Sequence, residues 1–330
     1  MESTRSDWLV LKRGVPQGSI LSPLLFNFFA NDMFFVISNS CRIYNYADDN
    51  SISYHHKNLN VIKVTLEQAL DEALNWFKGN YLQANPCKFQ AIYFSRNKET
   101  QLVLSAGDTE IVSETTVKML GVQIDNDMSF RTHVSSICKK ASGQMKALSR
   151  MSNMLSIQSK TDIYNAFIMS NFMYCMLVWH LCGTANSMKI EKIQERCIRF
   201  IYLDYKSTYN ELLGKSGKVS FYVLRLRNLG NFVFDVLQKT VPAFLHDLFE
   251  LHVTNFNLRD NKKITLKQFA TMKFGFNSLQ YHGAKIYNQL PPQIKLCTMA
   301  KDFKNALRKW DGPKCQCGYC ILCQSRRGKM

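Results

Sequence analysis

The sequence predicts an α+β layer at its N-terminal end followed by a mainly α-helical remainder, and three observations carry that expectation. Residues 42–54, RIYNYADDNSISY, alternate Tyr44 and Tyr46 on one side of an acidic pair and Ile52 and Tyr54 on the other, the period of two of a β-hairpin. Leu66, Leu70, Ala73, Leu74 and Phe77 then recur at helical spacing. From 133 to about 213, and again beyond Gly214, the pattern is helical, broken by Pro242 and Pro291-Pro292. The first 125 residues therefore mix strands and helices, and the rest stacks helices.

Taken in order, residues 15–18 form a Val-Pro-Gln-Gly loop, and Ser22-Pro23 supplies an N-cap and first-turn proline for an apolar helix. Leu24, Leu25, Phe28, Phe29 and Phe35 are expected as core residues of that helix. The hairpin places Asp48 and Asp49 at its tip. Gly79 stands where a C′ glycine ends the next helix. KFQAIYFS, residues 88–95, reads as a strand, with two further short strands at 101–104 and 118–124. In the helical part Ile137, Ala141, Met145 and Leu148 form one apolar face, and Ile190, Ile193, Cys197, Ile198 and Ile201 another. Their opposite faces carry Lys139, Lys140, Lys146 and Arg150, then Lys189, Lys192, Arg196 and Arg199. Such faces are either simply solvated or suited to tracking a phosphate backbone.

The 330 residues suffice for two or three domains, and a hydrophobic content of 46% argues against disorder. Lys and Arg number 42 against 25 acids, a formal charge of +17, more than solubility needs. With 12% aromatics this points to a polyanionic partner, nucleic acid first. The start MESTRSDW has no apolar signal region, so the eleven cysteines read as reduced thiols or metal ligands in an intracellular protein, nuclear or cytoplasmic. Residues 164–183 are uncharged and long enough to span a bilayer, but Asn165, Asn171 and His180 interrupt them. A buried helix and no membrane partner are expected there.

Two features carry chemistry. Neighbouring carboxylates at a hairpin tip repel, so Asp48 and Asp49 either rely on turn preference and solvent screening or hold a divalent cation. At the other end, Cys315, Cys317, Cys320 and Cys323 place four thiols within nine residues, which either bind one Zn²⁺ or stay unpaired in a frayed terminus.

Tyr46-Ala47-Asp48-Asp49, preceded by GVPQGSILSPLLF at residues 14–26, resembles the C-terminal part of a reverse transcriptase from a jockey-like non-LTR retrotransposon. Trp76-Phe77, Asn80-Tyr81-Leu82, Asn85 and Lys88 resemble that family's next palm motif, and Met119-Leu120-Gly121-Val122 with Asp125 its primer-gripping hairpin. Ile137-Cys138-Lys139-Lys140-Ala141-Ser142 opens what looks like the thumb. The resemblance implies a partial polymerase palm over 1–130, a helical thumb over 131–215, a helical extension over 216–310 and a Cys-rich basic tail over 311–330. It also implies nucleotidyl transfer from a deoxynucleotide to a DNA primer on an RNA template, with two Mg²⁺ ions holding the attacking and leaving oxygens.

Asp48 is then the main Mg²⁺ ligand and Asp49 a secondary one. Pro16, Gln17, Gly18, Tyr46 and Ala47 lie along the template and incoming nucleotide, and Leu120 and Gly121 grip the primer. Lys139, Lys140, Lys146 and Arg150 contact the duplex. Lys88 is either a proton donor to the leaving pyrophosphate or a solvated lysine. The family's third carboxylate comes from a strand well ahead of the GVPQGS loop. Only thirteen residues precede Gly14, and Asp7 among them has no matching context. The fingers are absent as well, so a chain inactive by itself is expected, in need of an upstream polymerase segment. The alternative is a non-catalytic nucleic-acid-binding module of retrotransposon origin.

Overall fold

A computed structural model describes residues 14–37, 40–95, 97, 100–252, 263–269, 271 and 275–312. The chain divides into two units, Met1–Val117 and Lys118–Met330.

The first unit is organised by one long helix. In chain order it contains α1 (Ser22–Ala30), α2 (Met33–Val36), β1 (Arg42–Tyr46), β2 (Asp49–Ser53), α3 (Leu59–Gly79), β3 (Ala91–Ile92), β4 (Val103–Ala106) and β5 (Thr109–Glu114). Asn58 starts α3 as its N-cap, its side chain accepting from the Asn60 N–H at 2.9 Å. One face of α3 buries Ala69, Ala73 and Trp76 against Met33, Ile37 and Cys41, with Ile43 and Ile52 of the β1–β2 hairpin packed alongside. The other face packs Ile62, Leu66, Leu70 and Leu74 onto Leu102, Leu104, Ala106 and Ile111. Those residues belong to a three-stranded sheet ordered β3-β5-β4, in which β3 runs parallel and β4 antiparallel to β5. The apolar stripe of α3 thus supports a hairpin on one side and a sheet on the other.

Four expectations need correction here. Leu24, Leu25, Phe28, Phe29 and Phe35 are all exposed, Phe28 at 85% and Phe35 at 83%. Met33 and Ile37 already fill the space against α3, and among the described residues α1 meets that core through Ala30 and the Phe29–Trp76 ring contact at 6.0 Å. Ser22 is a helical residue rather than the N-cap, and its hydroxyl donates to the Pro16 carbonyl at 2.6 Å. Gly79 is the last helical residue of α3. The left-handed C′ position falls to Tyr81 (φ 58°), with Leu82 N–H donating to Phe77 O at 2.9 Å and Tyr81 N–H to Lys78 O at 3.2 Å. That is a Schellman ending closed on a tyrosine. Finally, only Ala91–Ile92 of the 88–95 segment is strand, because Asn85 and Pro86 begin a 3₁₀ turn, Pro86–Lys88, that takes the segment's first residue. The strand Thr109–Glu114, with two partners, is an element the expected strands do not include.

The chain enters the second unit through β6 (Thr116–Met119), which pairs with β7 (Val122–Asp125). The expected strand at 118–124 is therefore two strands about a two-residue turn. Helices α4 (Arg131–Arg150), α5 (Ile157–Ile163), α6 (Ser170–Met173), α7 (Thr184–Tyr202), α8 (Tyr209–Ser216), α9 (Phe221–Leu237), α10 (Leu279–Gln289), α11 (Pro292–Lys295) and α12 (Ala300–Arg308) follow. The Asp125 carboxylate accepts from Ser129 N–H at 2.9 Å and Phe130 N–H at 2.6 Å, which fixes the entry to α4. Val122, Val134, Ala141, Tyr164, Phe172, Trp179, Ile190 and Phe221 share one core, and Leu229, Val233, Phe234, Tyr287, Phe303 and Leu307 a second. Phe234 and Phe303 stack there at 4.1 Å between ring centroids.

Polar groups bind these layers together. Buried Glu191 of α7 accepts from Tyr222 N–H at 2.7 Å, and Gln194 accepts from Phe221 N–H at 2.9 Å, so two orphan amides at the start of α9 are satisfied from α7. Burial pushes the Glu191 carboxyl above its ordinary range. The buried Arg225 guanidinium contacts the Ser187 hydroxyl and lies over the Trp179 and Tyr222 rings at 5.4 and 5.6 Å.

The apolar run 164–183 is not one buried helix. A π-helical turn, Tyr164–Met169, leads into the four residues of α6, and Tyr174 ends it in extended backbone. Among the described residues no helix is long and apolar enough to cross a membrane.

Candidate active site and nucleic-acid face

The β1–β2 register pairs Tyr46 with Asp49 and Asn45 with Asn50, so Ala47 and Asp48 alone form the loop. Of these two, only Ala47 has a positive φ, 51°. One positive φ at the first loop position matches a type II′ rather than a type I′ hairpin turn, and an alanine there is held in a conformation normally left to glycine. Asn50 Nδ2 donates to the Asp48 carbonyl at 3.3 Å, tying the loop to β2. Alternation puts Ile43 and Ile52 on the face toward α3 and Tyr44, Tyr46 and Asp49 on the opposite, outer face. Asp48 and Asp49 are both exposed. The tip therefore presents two carboxylates to solvent beside the exposed rings of Tyr44 and Tyr46.

Pro16, Gln17, Gly18 and Ser19 form a second turn, closed by Ser19 N–H donating to Pro16 O at 3.3 Å. Gly18 has φ 85°, the third-position requirement of a type II turn, so a glycine is needed there for backbone reasons alone. Because the Ser22 hydroxyl also donates to Pro16 O, the turn is pinned to the first residue of α1, leaving Gln17 exposed at its apex. Lys88 ends the 3₁₀ turn after Asn85, with its side chain exposed. Among the described residues, no hydrogen bond or ion pair joins Gln17, Gly18 or Lys88 to Asp48 or Asp49. The hairpin itself brings Tyr46, Ala47, Asp48 and Asp49 together.

Two carboxylate groups on adjacent residues suit Mg²⁺, which takes one or two protein carboxylates and completes its shell with water and substrate phosphates. Among the described residues no group of three or more His, Cys, Asp or Glu side chains is placed to hold a metal ion. The tip can thus supply part of a Mg²⁺ shell and not a whole one. Cys315, Cys317, Cys320 and Cys323 lie outside the described residues, and nothing observed supports zinc there.

In the second unit the β6–β7 turn consists of Leu120 and Gly121, both with positive φ (46° and 83°), the type I′ pattern. The Tyr174 hydroxyl, 54 residues away in sequence, donates to the Leu120 carbonyl at 2.6 Å. Lys139, Lys140, Lys146 and Arg150 of α4 are exposed, as are Lys189, Lys192 and Arg196 of α7, and these two helices pack against each other. Arg199 departs from the expected basic face. Its guanidinium is held by Glu195 at 2.6 Å and by the Ser207 carbonyl at 2.8 Å, an internal fastening of the α7 end.

With that geometry in view, residues 1–124 match the family described as reverse transcriptase (RNA-dependent DNA polymerase), a span that includes the hairpin, the Pro16–Ser19 turn and the Leu120-Gly121 turn. The chain carries that domain and is homologous, over about 57% of its length, to polymerases of jockey-type non-LTR elements. It is 26% identical over 197 residues to the RNA-directed DNA polymerase from mobile element jockey of Drosophila melanogaster, covering 57% of this chain and 22% of that protein. It is 23% identical over 203 residues to the probable RNA-directed DNA polymerase from transposon BS of the same species, covering 58% and 22%. The jockey protein of Drosophila funebris is 25% identical over 211 residues, covering 61% and 23%. The matched segments thus span less than a quarter of those relatives' own length. No solved structure matches.

Proposed function

We propose that the chain is part of an RNA-directed DNA polymerase, its first unit contributing palm and its second unit thumb and a helical extension. The observation that carries this reading is the reverse transcriptase match over residues 1–124, which encloses a hairpin whose tip exposes both Asp48 and Asp49. RNA template, DNA primer and deoxynucleotide are the substrates. Bound Mg²⁺ supplies Lewis-acid activation of the primer hydroxyl and charge neutralisation at the phosphates. Asp48 and Asp49 hold the cation. Gln17 and Gly18 lie against the template and incoming base, where the glycine turn permits close backbone approach. Lys88 stands as a proton donor for the leaving pyrophosphate. Leu120 and Gly121 hold the primer, and Lys139, Lys140, Lys146 and Arg150 follow the duplex backbone.

The same geometry argues that these residues alone do not polymerise. With two carboxylates and no third ligand among the described residues, a cation is held weakly, and a weakly held ion contributes little of the charge stabilisation the reaction needs. The exposed apolar face of α1 is where a further polymerase segment, supplied from beyond these residues, packs. What remains to the chain by itself is nucleic-acid binding, and the lysine-rich outer faces of α4 and α7 favour that second reading. Primer extension on an RNA template with Mg²⁺, run beside a salt titration of binding to an RNA–DNA hybrid, tests both readings. Salt-sensitive binding without extension is expected. Robust extension abolished by Asp48→Ala would overturn the inactivity, and absence of binding at low salt would overturn the polymerase reading itself.

A further inference from the structure

Tyr174 is held by its backbone and exposed at its ring. Its N–H donates to Ser170 O at 3.2 Å, ending α6, and its carbonyl accepts from the indole Nε1 of Trp179, a fully buried side chain, at 3.0 Å. The ring is carried outward to 53% exposure, and there its hydroxyl donates to the Leu120 carbonyl at 2.6 Å. A hydrogen bond in so wet a place adds little to stability, because water replaces either partner at small cost. It does, however, orient a peptide. C=O and N–H lie on opposite edges of a trans peptide plane, so turning the Leu120 carbonyl toward Tyr174 turns the Gly121 N–H away from it. The ring itself lies against the turn, since a Cβ on Gly121 would stand 3.4 Å from Tyr174 Cε1. With both turn residues at positive φ, no strand pairing fixes that central peptide.

We infer that Tyr174 is a positioning residue for the Leu120-Gly121 turn, setting the plane of its central peptide so that the Gly121 N–H is presented to a phosphate at the primer end. The inference rests on the reading of this turn as the primer contact. Tyr174 touches no substrate itself. Its path to the core runs through Trp179, so the turn's outward amide is referenced to the interior of the second unit as well as to β6 and β7.

The test uses the whole 330-residue chain and two labelled RNA–DNA hybrids, one with a recessed primer 3′ end and one continuous. Anisotropy titrations compare the wild type with Tyr174→Phe, which keeps the ring against Gly121 and removes only the hydroxyl. The wild type is expected to prefer the recessed end. Tyr174→Phe should bind that hybrid about fivefold more weakly, a partial loss of the Gly121 N–H bond to the phosphate. It should bind the continuous hybrid as before, with the salt slope unchanged because no phosphate-neutralising charge has been removed. If Tyr174→Phe keeps the full preference, the inference fails while the reading of the turn stands. If the wild type shows no preference, that reading fails and takes the inference with it. If both hybrids weaken together and the melting midpoint falls, the tyrosine serves the fold only, which also overturns the proposal.

Discussion

The two units of this chain differ in how far their most apolar helices are enclosed. In the first, Leu24, Leu25, Phe28, Phe34 and Phe35 of α1 and α2 face solvent, while the core against α3 is built from Met33, Ile37, Ala69, Ala73 and Trp76. In the second, Trp179, Phe172, Tyr164 and Phe221 are fully enclosed, and even charged groups, Glu191 and Arg225, are drawn inside, Glu191 accepting from Tyr222 N–H and Arg225 contacting the Ser187 hydroxyl. Both units use strongly apolar helices, so composition does not separate them. The difference is the number of layers. Among the described residues the long helices α4, α7, α9, α10 and α12 of the second unit each pack on another helix, whereas α1 touches the described core at its C-terminal end. Among the described residues α1 therefore keeps an exposed apolar face of the kind that marks interaction surfaces.

The sharpest way to test that contrast is to truncate the centre of the enclosed unit. Trp179 is fully buried, lies 6.2 Å from the His133 ring, supports Arg225 and donates to the Tyr174 carbonyl. Trp179→Ala should cost about 3 to 5 kcal/mol, the range for emptying a large aromatic site whose walls collapse incompletely. Urea unfolding followed by far-UV circular dichroism, whose helical signal comes mostly from the second unit, reads this. A loss below about 1 kcal/mol would mean that the enclosure around Trp179 is much looser than its burial indicates.

Acid should distinguish the units next. His180 and His282 are buried with their rings 6.2 Å apart at the edge of the Arg225 cluster. Burial first, then Lys285, pushes His282 down to about 4, and burial, Arg225 and His282 push His180 well below 6.5. Both rings are therefore neutral in the fold at pH values where the unfolded chain protonates them. Between pH 6.5 and about 4 the unfolded state holds the extra protons, so stability falls as pH falls, by about 1.4 kcal/mol per pH unit for each histidine. The described histidines of the first unit, His55 and His56, are exposed. Urea midpoints at pH 7, 6 and 5 should slope downward for the second unit, and His282→Asn should flatten that slope. Equal slopes in both units would break the comparison.

How much of this was legible in the sequence depended on whether the partners were local. The Asp48-Asp49 hairpin, the Pro16–Ser19 turn and the alternating faces of α3 and α4 were readable, because each is set by residues within one or two turns of chain. The two motifs also sufficed to name the family resemblance, and the reverse transcriptase match covers both. Three things were not readable. The apolar pattern of α1 states that a face wants burial and cannot state whether a layer is present. The Schellman ending on Tyr81 puts a non-glycine residue in the left-handed region, which local preference argues against. The Tyr174–Leu120 and Arg225–Ser187 contacts join residues far apart in sequence, and neither pair carries a spacing signal.

The smallest expected effect is also the one that bears hardest on α1. Phe28 is 85% exposed, and replacing a buried phenylalanine by serine ordinarily costs several kcal/mol. Here Phe28→Ser removes an apolar ring already in water, so the first unit should unfold within about 0.5 kcal/mol of the wild type, as surface changes do. Self-association should fall at the same time, because an exposed apolar helix face is a general site of aggregation. Light scattering at matched concentration and a urea midpoint measured on the same sample settle the two effects together. A destabilisation above about 2 kcal/mol, dependent on protein concentration, would mean that α1 is covered in solution by a second copy of the chain. The same loss independent of concentration would mean that the chain covers α1 itself, and the contrast between an open and a closed unit would disappear.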